Sequence, residues 1–172
     1  MKRSLLLISA FLTAFGASAA EITIKSVVDE LNVRRTAAGL PPLREDNRLS
    51  QAADDRMRDM EEQGYWNHND PQGRSPFQWL QPRGYDFSYA GENLAAGFET
   101  AEIMVDGWME SKGHRDNILS PFYNECGVSI IDGATTGRAT GRSVVVLFAR
   151  PRTIIEPPSP DPRRVSTPAF RR

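Results

Sequence analysis

Apolar residues recur at helical spacing in three stretches of this 172-residue chain. The second stretch begins at Asp46 or Asn47, and the third begins at Thr100; all three residue types are common helix caps. Each stretch closes near a glycine, the residue that most often ends a helix. The predicted helices and their apolar stripes are 22–38 with Ile24, Val27, Val28 and Leu31; 46–64 with Leu49, Ala52, Ala53, Met57 and Met60; and 100–113 with Ala101, Met104, Val105 and Trp108.

Shorter patterns predict the other elements. Residues 127–131 and 143–149 have the composition of strands, and the glycine-rich segment between them predicts a hairpin connection. Ser75 is followed by a proline, a pair typical of a helix start, so a short helix is expected from there to about Gln81. The chain therefore alternates helical and strand patterns within one domain.

The two ends of the chain differ from its middle. Residues 1–20 combine a basic start, an apolar run too short to span a bilayer and an Ala-x-Ala cleavage pattern, which predicts a signal peptide. We expect a single domain over residues 21–155 and a disordered tail, rich in proline and arginine, over residues 156–172. The protein is therefore expected to be secreted or periplasmic, with no transmembrane segment in its mature form.

Charge and cysteine content narrow the classes of partner. After residue 20 the chain has 19 basic and 22 acidic residues, whereas nucleic-acid-binding domains usually carry a basic face, so no nucleic-acid partner is expected. The one cysteine, Cys126, cannot form an internal disulfide, so packing alone must stabilise the exported domain. Cys126 lies in an apolar run and is expected to be a buried small hydrophobe. We expect a monomer.

Both histidines lie in polar segments that suggest chemistry. His68 falls in a loop over residues 65–74, which is crowded with Asn, Asp, Pro and Gly. His114 follows the glycine expected to end the third helix, and Glu92 lies between the two histidines in residues 90–95, interpreted as a turn. Two imidazoles and a carboxylate recur in catalytic zinc sites. The spacing leaves open whether these three side chains meet in one cleft.

Helical geometry points to one further polar residue. Ser111 follows Trp108 by three positions, so the two side chains leave the helix on nearly the same side. Glu110 lies about 200° away from Trp108 and is expected to be solvated. Ser111 is therefore expected to face an interior cleft. No G-x-S-x-G motif surrounds it, which favours a hydrogen-bonding role over a nucleophilic one.

Four segments, in this order, resemble the bacterial secreted members of a known family. They are Leu31–Arg35 with Gly39–Leu43, His68–Phe77, Ala90–Ala95 and Trp108–Leu119. The family is the CAP superfamily, which joins cysteine-rich secretory proteins, antigen 5 and plant pathogenesis-related proteins, and whose domain is also called SCP. The resemblance covers about residues 26–150.

The resemblance implies an α+β fold, a three-layer α-β-α sandwich with a small antiparallel sheet. It also implies a cleft that holds a tetrad of two histidines and two acids, to which His68, Glu92 and His114 correspond. Ser111 stands where the second acid would be, a departure that is usual in bacterial relatives. Members of the family have been linked to lipid binding, divalent-metal binding, proteolysis and signalling, so the fold alone does not decide the function.

Two functions compete. The first is an exported ligand-binding module of the cell envelope, with a lipid, peptide or cell-wall ligand recognised by His68, Glu92, His114 and nearby aromatic residues. The alternative is a metal-dependent hydrolase of peptide or cell-wall bonds, in which His68 and His114 hold a divalent metal such as zinc and Glu92 acts as base. A purely structural role, with both histidines used for internal hydrogen bonds, is the third interpretation.

Overall fold

A computed structural model describes residues 21–133 and 142–153 of the chain. The helix expected after Ser75 is present as a turn of 3-10 helix, with the Ser75 hydroxyl accepting a hydrogen bond from the backbone of Phe77. The described elements are α1 (Ile24–Ala37), β1 (Arg44–Glu45), α2 (Asn47–Gln63), two 3-10 helices (Pro76–Trp79 and Gln81–Arg83), β2 (Phe87–Phe98), α3 (Ala101–Glu110), α4 (Lys112–Ile118), β3 (Glu125–Asp132) and β4 (Arg142–Pro151).

The described strands form one sheet in the order β1-β3-β4-β2. β4 pairs antiparallel with both β3 and β2, whereas the two-residue β1 runs parallel to β3. The predicted strand pair of residues 127–131 and 143–149 is thus confirmed. β2 lies at one edge of the sheet and contains Glu92.

Helices cover both faces of the sheet. Alternate residues of β4 point to opposite faces, and Val144, Val146 and Phe148 pack with residues of α1, α3 and α4. Val145 and Leu147 pack with residues of α2 on the other face. This arrangement confirms the predicted α-β-α sandwich, and it explains why β4 is apolar at successive positions.

The first two helices begin and end where local chemistry requires. Asp46 caps α2 by accepting a hydrogen bond from the backbone of Arg48 at 2.9 Å. Gly39 and Gly64 have φ angles of 73° and 68°, the left-handed conformation that ends a helix. The predicted helices 22–38 and 46–64 are confirmed, and the α2 stripe is buried at all five positions: Leu49, Ala52, Ala53, Met57 and Met60.

Two local predictions are wrong. Gly113 does not end the third helix, because Ser111 adopts an extended backbone (φ −89°, ψ 121°) and stops α3 at Glu110. Gly113 then lies in the first turn of α4. Residues 90–95 are not a turn but the middle of β2, where they pair with β4. In both cases the glycine suggested a break in the chain, whereas the structure has a helix or a strand there.

Some predictions concern residues outside the described ranges, namely the signal peptide over residues 1–20, the tail over residues 156–172 and most of the connection between β3 and β4. Within the described ranges, no helix has the length and apolar character needed to cross a membrane. Cys126 is fully buried, as predicted, and burial raises the pKa of its thiol to about 12.

Candidate functional site

A cleft of about 370 Å³ opens beside the edge strand β2. The loop that follows α2 forms one side of the cleft, and α4 contributes at the other side. Its wall combines polar side chains with small and apolar residues. The lining residues are His68, Asn69, Ser75, Pro76, Phe77, Ala90, Gly91, Glu92 and Asn117.

Glu92 holds His68 at the mouth of the cleft. The Glu92 side chain is 1% exposed, and its Oε1 lies 2.8 Å from Nδ1 of the His68 imidazole, which is 54% exposed. An ionised carboxylate can only accept a hydrogen bond, so Nδ1 must carry the proton. The neutral imidazole then keeps its lone pair on Nε2. His68 therefore offers an acceptor when neutral and a second donor when protonated.

Arg56 is the residue on which this arrangement depends. Its side chain is 0% exposed, and its Nε donates to Oε2 of Glu92 at 3.0 Å. The same guanidinium donates to the backbone carbonyls of Asn67 and His68 and to the hydroxyl of Tyr65. One buried cation thus neutralises the carboxylate and fixes the loop that carries the histidine.

The sequence contained a signal for Arg56 that the prediction missed. The residue lies three positions after Ala53 and four before Met60, on the stripe that α2 buries. A charged side chain on an apolar stripe has to find a partner inside the protein. Arg35 is a second example: it is buried on α1, but its donors are taken by backbone carbonyls outside the cleft.

Asparagines of two motifs attach α4 to β2. Asn93 donates to the backbone carbonyl of His114 at 3.2 Å, and Asn117 donates to the Asn93 side chain at 2.9 Å. Gly91 leaves room for this contact, because an added Cβ would lie 2.7 Å from Oδ1 of Asn117 and 2.6 Å from the hydroxyl of Tyr123. The segment interpreted as a turn is therefore a strand whose residues position both histidines.

Side chains also donate to backbone carbonyls of β2 at every second residue. The edge carbonyls of a sheet are otherwise unpaired. These bonds run from Tyr123 Oη to Ala90 at 3.1 Å, from Asn117 Nδ2 to Glu92 at 3.0 Å, and from Trp108 Nε1 to Leu94 at 3.1 Å.

His114 interacts electrostatically with His68, and its ring lies near that of Trp108. The centroids of the His114 and Trp108 rings are 6.2 Å apart. Desolvation by burial, and to a smaller extent the charge on His68, lower the pKa of His114 below its ordinary value. His114 is therefore neutral at pH 7, where its imidazole has one donor and one acceptor nitrogen.

We expect this pKa to make the stability of the domain depend on pH. Below about pH 6.5, the unfolded chain takes up a proton at His114 more readily than the folded domain, so the free energy of unfolding falls. His114→Gln should flatten that decrease between pH 7.5 and 5.5, measured by urea denaturation at each pH. The paired carboxylates have lowered pKa values and titrate below this range. An unchanged or steeper pH dependence in the variant would contradict the expectation.

Ser111 and Glu110 occupy the junction of α3 and α4. Glu110 is exposed, as helical geometry predicted. Ser111 is partly buried; its backbone carbonyl accepts from Arg115, but its hydroxyl does not cap α4. The residues that line the cleft include His68 and Glu92 but neither Ser111 nor His114. The participation of Ser111 in a common site stays a prediction.

The donors of this site do not form a complete zinc centre. No group of three or more His, Cys, Asp or Glu side chains suited to a metal ion occurs in residues 21–133 and 142–153. Catalytic zinc sites typically have three protein ligands. His68 and His114 supply two imidazoles, and both Glu92 oxygens already accept hydrogen bonds. Zinc binding at His68 and His114 stays a prediction.

The family follows from the match to its sequence pattern. The profile of the cysteine-rich secretory protein family, CAP, matches residues 28–148, more than half of the chain. The chain belongs to the CAP family. This confirms the resemblance drawn from the four motifs. In this CAP domain, the segment Ala90–Ala95 supplies both the Glu92 carboxylate that orients His68 and the Asn93 amide that holds α4.

Two curated relatives of this CAP domain come from Bacillus subtilis (strain 168). Uncharacterized protein YkwD is 39% identical over 111 residues, which cover 64% of this chain and 43% of that protein. Uncharacterized membrane protein YlbC is 33% identical over 106 residues, which cover 62% of this chain and 31% of that protein. The chain thus spans less than half the length of either relative.

Solved structures show the same fold. An extracellular protein of Bacillus anthracis str. Ames that contains an SCP domain has a TM-score of 0.63 and 27% identity, covering 74% of this chain and 40% of that chain. An outer surface protein of Borrelia burgdorferi has a TM-score of 0.64 and 22% identity, covering 78% of this chain and 99% of that chain. The second likeness concerns the fold alone.

Proposed function

We propose that this CAP domain is an exported ligand-binding module of the cell envelope, and that its ligand occupies the cleft beside β2. The observation that carries the proposal is the buried Arg56–Glu92 pair that orients a half-exposed His68 at the mouth of the cleft. Fixing one imidazole in this way restricts its hydrogen-bonding direction before any ligand arrives, which is how preorganised sites reduce the entropy lost on binding.

The volume and lining of the cleft favour a small ligand, or one segment of a larger ligand. A volume of about 370 Å³ lies within the range of ligand pockets. Asn69 and Ser75 add hydrogen-bonding groups beside His68, and Phe77 adds an aromatic wall. The proposed ligand is a peptide, a lipid or a cell-wall fragment. Export is supported by the signal-peptide pattern of residues 1–20 and by the likeness to the extracellular protein of Bacillus anthracis.

Calorimetric titration with solubilised cell-wall fragments tests the proposal. We expect wild-type protein to bind, and a His68→Ala/His114→Ala double variant to bind at least about tenfold more weakly, a loss of about 1.4 kcal/mol. Lys112→Ala is the matched control, because Lys112 lies on α4 with a side chain 82% exposed. Thermal unfolding of each variant confirms that it is folded. Equal binding by wild type and double variant, or binding by neither, would contradict the proposal.

One observation favours the alternative, a metal-dependent hydrolase. A carboxylate that accepts from one nitrogen of an imidazole is the arrangement that often orients a metal-binding histidine, and Glu92 does this to His68. In that case His68 and His114 would hold the ion, and the ion would polarise a peptide or cell-wall bond. Metal analysis of protein purified without chelator tests it. One equivalent of zinc that disappears in the double histidine variant, together with zinc-dependent release of wall fragments, would establish the hydrolase.

A further inference from the structure

Two partly exposed aromatic rings stack on one another beside the edge strand β2. Tyr89 is 45% exposed and Phe122 is 50% exposed. Their ring centroids are 4.8 Å apart and their planes differ by 23°. Large apolar side chains in contact with each other at the surface, rather than scattered singly, often mark an interaction site.

The pair is next along the chain to residues at the cleft, and it lies across the edge strand from Ala90, because successive side chains of a strand point to opposite faces. Tyr89 precedes Ala90, a cleft-lining residue, on β2. Phe122 precedes Tyr123, whose hydroxyl donates to the carbonyl of Ala90 at 3.1 Å. The Tyr123 ring stacks on the buried Phe148, with centroids 5.8 Å apart. The two exposed rings are therefore carried by β2 and by a loop that is bonded to β2 at Ala90, so a ligand that reaches both the rings and the cleft would cross the edge of β2.

We infer that the Tyr89–Phe122 pair is a stacking subsite for a sugar ring, and that the ligand of the cleft is a neutral oligosaccharide such as a stretch of N-acetylhexosamine. This inference rests on the proposed function and specifies its ligand class. The face of an aromatic ring carries partial negative charge, so it attracts the C–H groups that a pyranose ring presents on one face. Hydroxyl and N-acetyl groups of the next sugar would then meet the polar wall of the cleft.

The charge of the cleft favours a sugar over the other ligand classes. Asn69 and Ser75 are uncharged hydrogen-bonding residues. The one carboxylate in the lining, Glu92, is buried and neutralised by Arg56. A charged peptide would require opposite charges in the wall, and an acyl chain would require an apolar enclosure. Neutral polar groups beside an aromatic platform are complementary to a ligand with many hydroxyls.

Titration with the tetrasaccharide of β-1,4-linked N-acetylglucosamine, followed by NMR, tests the inference. We expect saturable binding by wild type and a loss of roughly three- to tenfold with Tyr89→Ala or Phe122→Ala, the size of a lost contact with an aromatic face. Tyr89→Phe should bind like wild type, because the ring face and not the hydroxyl makes the contact. Val33→Ala is the control, since Val33 is 52% exposed on α1.

Several results would overturn the inference. They are the absence of saturable tetrasaccharide binding, unchanged binding by Tyr89→Ala, and an interaction with phosphatidylglycerol vesicles or a dimer in sedimentation that replaces sugar binding and depends on Tyr89. Binding of wall fragments that needs His68 but not Tyr89 would also overturn it, and would leave the proposed function standing. Sugar binding that needs Tyr89 but neither histidine would instead support the stacking subsite and contradict the histidine cleft.

Discussion

Arg56→Met is expected to lower the free energy of unfolding by about 3–5 kcal/mol, the loss that follows when one partner of a buried ion pair is removed. Arg56 is 0% exposed and Glu92 is 1% exposed at the side chain, so water cannot replace the guanidinium. The backbone carbonyls of Asn67 and His68 would lose their donor at the same time. Urea denaturation followed by circular dichroism measures the change.

Arg58→Met is the matched control for this prediction. It lies on the same helix, and its side chain is 61% exposed in an ion pair with Asp55, so its removal should change stability by less than about 1 kcal/mol. An Arg56→Met/Glu92→Gln double variant should be less destabilised than the sum of the single variants, because the uncompensated charge is gone. Equal stability of the Arg56 and Arg58 variants would contradict the role assigned to the buried pair.

Gly127→Ala is the second substitution with a large expected effect, a destabilisation of at least about 3 kcal/mol, at the upper end of overpacking. Gly127 faces the first turn of α2, and an added Cβ would lie 2.1 Å from the backbone carbon of Leu49 and 2.2 Å from the backbone nitrogen of Ser50. A helix backbone cannot rotate away as a side chain can. α2 would have to move off the sheet, and with it Arg56.

Gly113→Ala is the control for the glycine substitution. Gly113 lies in α4, and nothing lies within 4 Å of the position its Cβ would take. Alanine should therefore be neutral or stabilise the helix by up to about 1 kcal/mol. Thermal and urea unfolding of both variants measure the contrast. A Gly127→Ala protein as stable as Gly113→Ala would show that α2 does not pack as closely on β3 as described.

The spacing of apolar residues and the capping residues were sufficient to predict the elements that bury one face or both faces. α1, α2 and β4 have apolar residues at regular spacing, and Asp46 and Gly64 mark where α2 begins and ends. β2 was not predictable in this way, because it combines glycine with the polar residues Glu92 and Asn93. The Asn93 side chain donates a hydrogen bond to α4. The strand is defined by its pairing with β4, which lies about fifty residues further along the chain.

The sequence indicated Glu92 and His68 as candidate residues, but it did not indicate their contact. Glu92 and His68 are in direct contact, yet nothing in their spacing fixes this, because the contact depends on how α2 packs across the sheet. Apolar residues define the stripe of α2, so the stripe indicates that Arg56 is buried but does not identify the partner of its guanidinium. Glu92 lies 36 positions further along the chain than Arg56, so only the folded structure identifies it as the partner of Arg56.

The side chains that donate to the carbonyls of β2 also hinder the addition of a second copy of the chain at this edge of the sheet. A bare outer strand is a template on which a second chain can add, and repetition of that step leads to fibrils. Trp108, Asn117 and Tyr123 occupy the carbonyl groups that an incoming strand would need. These bonds from α3, α4 and the loop before β3 thus shield the outer edge of the sheet from aggregation by strand addition.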